Sequence, residues 1–417
     1  MLSQDTKMAA VNRPMQQSSG GGQDSKDALL RVNNFVFRLP QNLSLVENRT
    51  HVTFRSQTAV TSSGQVLQVK INSGSAFVAP HTSYITFGLS IGMNTAKTWT
   101  TPIIGALAAF QSVRLLSRSG TEIYRANDLN LFLSKWLVYT KGADFWEQAS
   151  SWDGNYPARS AARTNTKDTI YYYSFPLNLL MGVFDAQVLP SHLISGCTLE
   201  LEIADAYQSF KFSGDPISAQ INIGEFQCHC DCLTLSETAE LAIDRVSARN
   251  GLEVCFPGIH TSTTTSAATY TELNVQKACS RASFLMTAIR DPDFGTPTAD
   301  SFKSESVVTR AQTRIGSVFL PNQMADFSKP NFATMYNEIQ FGKKSKRLST
   351  DANSLIVAQQ LQKSQILKYS GTSVNSNRQL SHLIEVSNSG AKNYRYTTFL
   401  IFDKVARVSL ENCIISE

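Results

Sequence analysis

Thr198-Leu199-Glu200-Leu201-Glu202-Ile203 alternates apolar and charged residues without a break. In an extended strand successive side chains point to opposite faces, so Leu199, Leu201 and Ile203 share one face and Glu200 and Glu202 the other. One face is made for a core and the other for water or a neighbour, as in an antiparallel sheet packed on one side. Working outward from this stretch, further β-rich runs recur along the chain: Phe35-Val36-Phe37, His51-Val52-Thr53-Phe54, Val66 to Ile71, Tyr84-Ile85-Thr86-Phe87 and Tyr396 to Phe402, then Val405 to Leu410. Turn formers separate them. Many short strands punctuated by turns predict a sandwich or barrel rather than an open sheet.

Helical signals are sparse. Asn127 is placed to cap a helix over Asp128 to Tyr139, with Leu129, Phe132, Leu133 and Trp136 on one face. Asn331 is placed to cap a second over Phe332 to Phe341, with Met335 and Ile339 inward, and a third is expected over Ser354 to Lys368. Three short helices among so many strands exclude the alternating pattern of an α/β enzyme.

The chain also resembles itself. Ser112-Val113-Arg114-Leu115 leads through a polar turn to the helix near Asp128, and Ser317-Val318-Phe319-Leu320 leads through another to the helix near Phe332, an offset of 205 residues from 112 to 317. Ser83-Tyr84-Ile85-Thr86 and Ser283-Phe284-Leu285-Met286 stand 200 apart, and Leu67-Gln68-Val69 and Leu273-Asn274-Val275 stand 206 apart. Three matches in one order at a nearly constant offset point to an internal duplication, the alternative being two unrelated β segments of similar rhythm. Each half then holds about 200 residues, room for an eight-stranded jelly roll with elaborated loops. The expected fold is all-β: two tandem eight-stranded jelly rolls with a few short helices in loops. Residues 1–29 are expected to form an arm, 30–235 the first jelly roll and 236–417 the second.

Composition narrows the function. Of 417 residues, 42% are hydrophobic and only 17% charged, against about a quarter charged in ordinary soluble domains. Such a surface suits a protein covered by neighbours. The arm is rich in Gln, Ser and Gly, and its Lys7, Arg13 and Lys26 balance Asp5, Asp24 and Asp27. It has too little to bury to fold alone and too little charge to condense a nucleic acid. No apolar run has the length of a secretory leader or of a transmembrane helix. Seven cysteines, an odd number, argue for free thiols in a reducing compartment rather than a disulfide framework.

Candidate chemistry is thin. Cys228-His229-Cys230-Asp231-Cys232 invites a metal hypothesis, but on a strand its three sulfurs lie on one face, roughly 7 Å apart by strand rise, too far for tetrahedral ligation. Packing as small apolar side chains, with His229 and Asp231 facing out, is the simpler reading. The six histidines are scattered, and no nucleophile elbow, phosphate loop or dinucleotide fingerprint is present. No catalytic, cofactor or metal residue is therefore assigned. Lys343, Lys344, Lys346 and Arg347 form the one dense basic run, a candidate nucleic-acid or nuclear-import contact or else a solvated loop.

Three stretches carry a resemblance: Ser112 to Tyr124 with the helix after it, Phe175 to Phe184 followed by Val188-Leu189-Pro190, and Arg314 to Pro321. With them the chain resembles the double jelly-roll major capsid proteins shared by certain tailless phages, virophages, polinton-like viruses and adenovirus hexons, over about residue 30 to the end. The resemblance implies no enzyme activity. It implies a homotrimer with a pseudo-hexagonal outline that tiles an icosahedral shell, with penton or minor capsid proteins as further partners. It places the chain in the virion after assembly in host cytoplasm or nucleus, against an internal membrane or packaged genome that it does not read by sequence. Hexon-like members are much longer, so the loops here must be modest. Competing readings are a single jelly-roll capsid protein with a projecting second half, a β-sandwich adhesin or carbohydrate-binding module, and a β-rich hydrolase.

Overall fold

The computed structural model describes residues 45–140, 164–291, 308–326, 356–363, 370–387, 392–409 and 413–417, with Gly295, Thr296 and Phe302, and without residues 96, 103, 187 and 217. The arm, the strand at Phe35-Val36-Phe37, the helix over Phe332 to Phe341 and the basic run Lys343 to Arg347 lie outside the described residues.

The first half builds two facing sheets. One has the order β1 (Val46–Arg55), β12 (Ala219–Leu235), β4 (Phe77–Met93), β9 (Tyr171–Pro176), with β2 (Val60–Ser62) also paired to β12. The other has the order β3 (Val66–Ile71), β10 (Cys197–Ile203), β6 (Phe110–Leu116), β7 (Glu122–Ala126). A small third sheet joins β11 (Lys211–Phe212), β5 (Trp99–Thr100) and β8 (Thr164–Asn165). Every pairing is antiparallel. Counted along the chain, the eight principal strands stand 1-8-3-6 in one sheet and 2-7-4-5 in the other, the double Greek key of a jelly roll.

The second half repeats this order. Its first sheet runs β13 (Leu252–Ser266), β21 (Tyr394–Val408), β15 (Cys279–Arg290), β18 (Ile356–Gln360), with β19 (Thr372–Val374) and β22 (Cys413–Ser416) added at the sides. Its second sheet runs β14 (Tyr270–Val275), β20 (Leu380–Val386), β16 (Val308–Ile315), β17 (Val318–Asp326). Counted in the same way these are again 1-8-3-6 and 2-7-4-5. The fold is thus a tandem pair of jelly rolls, and the second half is a barrel rather than an unrelated projection. Two of the three sequence matches fall on equivalent strands: Leu67 and Leu273 on the second strand of each barrel, Ser83 to Thr86 and Ser283 to Met286 on the third. The remaining match is displaced by one strand. Ser112 sits on β6, the fourth strand, whereas Val318 sits on β17, the fifth; the counterpart of β6 is β16.

Strand β10 behaves as its alternation demands. Leu199, Leu201 and Ile203 are fully buried, while Glu200 accepts a hydrogen bond from Gln68 at 2.9 Å and pairs with Arg114 at 3.3 Å. Glu202 accepts from Ser112 at 2.7 Å. These cross-strand partners on β3 and β6 tie the outward face in register.

Helix α1 spans Leu129–Thr140. It starts after Asp128, whose φ of 47° is left-handed, and the Asn127 side-chain oxygen accepts from Arg125 instead of capping the helix. A single helical turn, α2 (Ser191–Ile194), precedes β10. Helix α3 (Glu237–Asn250) was not foreseen; it follows Ser236 and ends at Gly251, whose φ of 72° suits glycine. The helix expected over Ser354 to Lys368 is corrected: Ile356 to Gln360 forms β18, because its short apolar run pairs with β15 and is buried on both sides.

Both-sided burial distinguishes the two barrels. Along β15, Leu285 and Ile289 point into the second barrel, while Phe284, Met286 and Ala288 join the core continuous with the first. Along β21, Leu400 and Phe402 point inward, and Phe399 and Ile401 point to the first barrel. A strand with a core on each face has no polar side to show, which is why β15 and β21 carry unbroken apolar stretches at Phe284-Leu285-Met286 and Phe399-Leu400-Ile401-Phe402. The seam is aromatic. Phe132 of α1 meets Phe399 edge-on at 5.4 Å, and Trp136 meets Phe284 at 5.4 Å. Each such pair contributes about 0.5–1.5 kcal/mol beyond its buried area.

Candidate assembly interface

The sheet β1-β12-β4-β9 of the first barrel is the counterpart of β13-β21-β15-β18 in the second. Its inner face carries Ile221, Ile223, Phe226, Cys228, Cys230 and Cys232, all buried. The change of phase between Ile223 and Phe226 is a bulge: pairing with β4 slips between Gly224 and Gln227, and Glu225 takes a φ of 51°. After the bulge His229 and Asp231 point outward, as the alternation requires. A second slip between His229 and Asp231 bends the strand. It brings the sulfurs of Cys228 and Cys230 to 3.7 Å, much closer than an ideal strand rise allows. The Cys228 thiol, hydrogen-bonded to Cys230 and buried, is held well above its ordinary pKa. Among the described residues no group of three or more His, Cys, Asp or Glu is placed to hold a metal.

The outward face of this sheet is open. At one end Asp231 pairs with Arg49 and accepts a hydrogen bond from His51 at 2.9 Å. Burial opposes the Asp231 charge, but hydrogen bonds from Thr82, His51 and Arg49 outweigh it and take the carboxyl down to about 2. Beside it the rings of His51, His229 and Tyr84 stack, with centroids 5.5 Å apart for the two histidines and 4.5 Å for His229 and Tyr84. The His229 ring is held between the hydroxyls of Thr53 at 3.0 Å and Thr86 at 2.9 Å. Burial and then the neighbouring His51 lower the His229 pKa.

Further along the same face Gly88 lies opposite Gly224 on adjacent strands. A Cβ on Gly224 would have nothing nearer than 3.9 Å, so no packing within the chain requires glycine there. At Gly88 the side chains of Ile170 and Tyr172 close over the backbone, a Cβ there meeting Ile170 at 2.9 Å, so it is Gly224 that presents bare backbone to an approaching chain. Val60 and Tyr172 flank this glycine, 59% and 63% exposed. The equivalent face of the second barrel, at Phe284, Met286, Phe399 and Ile401, is covered by the first barrel. Among the described residues, then, one of these two homologous faces is covered and the other is open.

The second barrel holds a polar group in its interior. His382 is buried with its Nδ1 2.8 Å from the Thr287 hydroxyl, which in turn lies 3.0 Å from that of Thr398. Burial lowers its pKa to about 3, so the ring is neutral. Of the six histidines, His51 and His229 thus join in a surface stack and His382 sits in an interior cluster with Thr287 and Thr398. Neither was legible, because each is assembled across strands more than 90 residues apart.

Comparison of the structure with solved structures places the fold. A chain of the PBCV-1 virus capsid matches with a TM-score of 0.62 at 11% identity, over 92% of this chain and 99% of that one. The Faustovirus major capsid protein matches with a TM-score of 0.61 at 6% identity, over 90% and 93%. The mavirus major capsid protein matches with a TM-score of 0.51 at 9% identity, over 99% and 97%. The chain therefore has the double jelly-roll fold of these major capsid proteins. No protein-family model matches the sequence, and no curated protein does.

Proposed function

We propose that this chain is a viral major capsid protein, in which three copies close into a ring of six barrels and such rings tile an icosahedral shell. The observation that carries the reading is the pair of homologous sheet faces. Within one chain, the outer face of the second barrel's sheet is sealed by the first barrel. In a closed ring the open face of each first barrel receives the second barrel of the next copy, so that contacts within and between chains are of one kind. Such a head-to-tail interface closes without leaving a free end. The bare backbone at Gly224, the low charge content of the chain and the fold shared with the PBCV-1, Faustovirus and mavirus proteins support it.

The role is structural, with no cofactor, and the chain's place is the virion, after assembly in host cytoplasm or nucleus. In this reading residues 1–29 are an arm, 30–235 the first jelly roll and 236–417 the second, with α3 the link between them. Further partners are penton or minor capsid proteins and an internal membrane or packaged genome. Lys343, Lys344, Lys346 and Arg347 are the candidate genome or import contact. Electron microscopy of the expressed chain tests the proposal: particles with a hexagonal outline and threefold symmetry are expected, and a field of isolated two-lobed monomers overturns it.

A further inference from the structure

A cavity of about 360 Å³ lies between the barrels, away from the open sheet face, walled by α1, β13, β15, β18, β21 and the loop 178–185. Its lining is unusual in charge. Asp185 and Asp403 are both in it, and no Lys, Arg or His is among the described residues that line it. Two buried acceptors there lack hydrogen-bond partners, the Asp403 Oδ2 and the Gln360 Oε1. Asp403 is only 9% exposed and shares a strand face with Ile401. Burial raises the Asp403 pKa, and Arg281 offsets that only in part. The remaining walls are aromatic and aliphatic, chiefly Phe132, Trp136, Phe284 and Ile356.

Orphan acceptors without orphan donors call for a ligand rich in N–H groups. The orphan carboxylate oxygen of Asp403 calls for a cation, and aromatic walls favour an organic one through cation–π contact and apolar packing. A metal ion needs more oxygen ligands than two. Water gains little from a space so largely apolar, since each molecule needs 2–4 polar partners. An anion would meet two carboxylates. The volume lies in the range of about 300–1,000 Å³ typical of small-molecule sites.

We propose that the cavity between the barrels binds a linear alkyl polyamine, with an ammonium group on Asp403 and Gln360 and its methylene chain along Phe132, Trp136 and Phe284. A ligand held there bridges both barrels and stiffens the building block without touching the open sheet face.

The test titrates spermidine into the full chain by calorimetry at fixed ionic strength. One site per chain is expected, with affinity weakened at least about tenfold by Asp403→Asn, since a charged hydrogen bond is lost. Glu237→Gln, on the exposed surface of α3, is expected to leave it unchanged, and magnesium and uncharged 1,6-hexanediol are expected not to bind. Equal binding by Asp403→Asn, or heats reproduced by magnesium or hexanediol, overturns the proposal. If Asp403→Asn does not fold, Gln360→Met decides in its place: weakened binding supports the site and unchanged binding overturns it.

Discussion

Lowering the pH from 7 to 5 destabilises this chain by about 2 kcal/mol through one side chain, His382. Its ordinary pKa of 6.5 applies to the unfolded chain, and burial in the second barrel takes it to about 3 in the folded state. Above 6.5 the ring is neutral in both states and contributes no pH dependence. Below it the unfolded chain takes up a proton that the folded chain cannot, so stability falls as pH falls, by about 1.4 kcal/mol per pH unit until the folded pKa is reached. The perturbation is His382→Gln, which keeps a polar partner for the Thr287 hydroxyl and cannot titrate. Urea unfolding at fixed protein concentration, at pH 7, 6 and 5, measures the difference. The wild type is expected to lose about 2 kcal/mol more than the variant over that range, whatever the variant loses at pH 7. Parallel pH profiles for the two proteins would refute the assignment of His382 as a buried neutral base.

Other outcomes follow from the packing. Phe399→Ala is expected to lose about 3–5 kcal/mol, and its double-mutant cycle with Phe132→Ala to give a coupling of about 0.5–1.5 kcal/mol by urea unfolding; additive losses would deny the ring contact at the seam. Gly182→Ala places a Cβ 2.5 Å from the Pro257 ring and carbonyl, so a loss of about 1–3 kcal/mol is expected in thermal melts, and an unchanged melting temperature would contradict the close approach of the barrels there. In thiol labelling of the native protein, half-buried Cys255 and Cys413 are expected to react before Cys228 and Cys230, which are fully buried. The reverse order would mean that the strand β12 does not face the core.

How much of this the sequence made legible depends on how local the signal was. Strand β10 declared its faces because Leu199, Leu201 and Ile203 alternate with Glu200 and Glu202 in six residues. The duplication was legible where equivalent strands kept a similar apolar rhythm, as at Leu67 and Leu273. It slipped by a strand at Ser112 and Ser317, because four-residue strands look alike and β7 is only five residues long. β18 reads as helix in sequence because Ile356-Val357-Ala358-Gln359-Gln360 has no period of its own; burial on both faces, a tertiary fact, decides it. α3 did carry signals, Ser236 before it and Gly251 after it. The outward stack of His51, His229 and Tyr84 had none, since it depends on the pairing of β1, β12 and β4. The bulge at Gly224 and Glu225, which sets where His229 points, is a matter of register rather than composition.

If the open sheet face of the first barrel is where the next copy binds, the mass of the chain in solution must show it. Light scattering of the wild-type chain is expected to give about 138 kDa, three times the chain mass of 46.0 kDa. Gly224→Arg sets a bulky charged side chain on this face, its Cβ meeting nothing inside the chain nearer than 3.9 Å, and is expected to give folded material of 46.0 kDa. A wild type of 46.0 kDa at every concentration, or a Gly224→Arg variant that remains a trimer, would contradict the account.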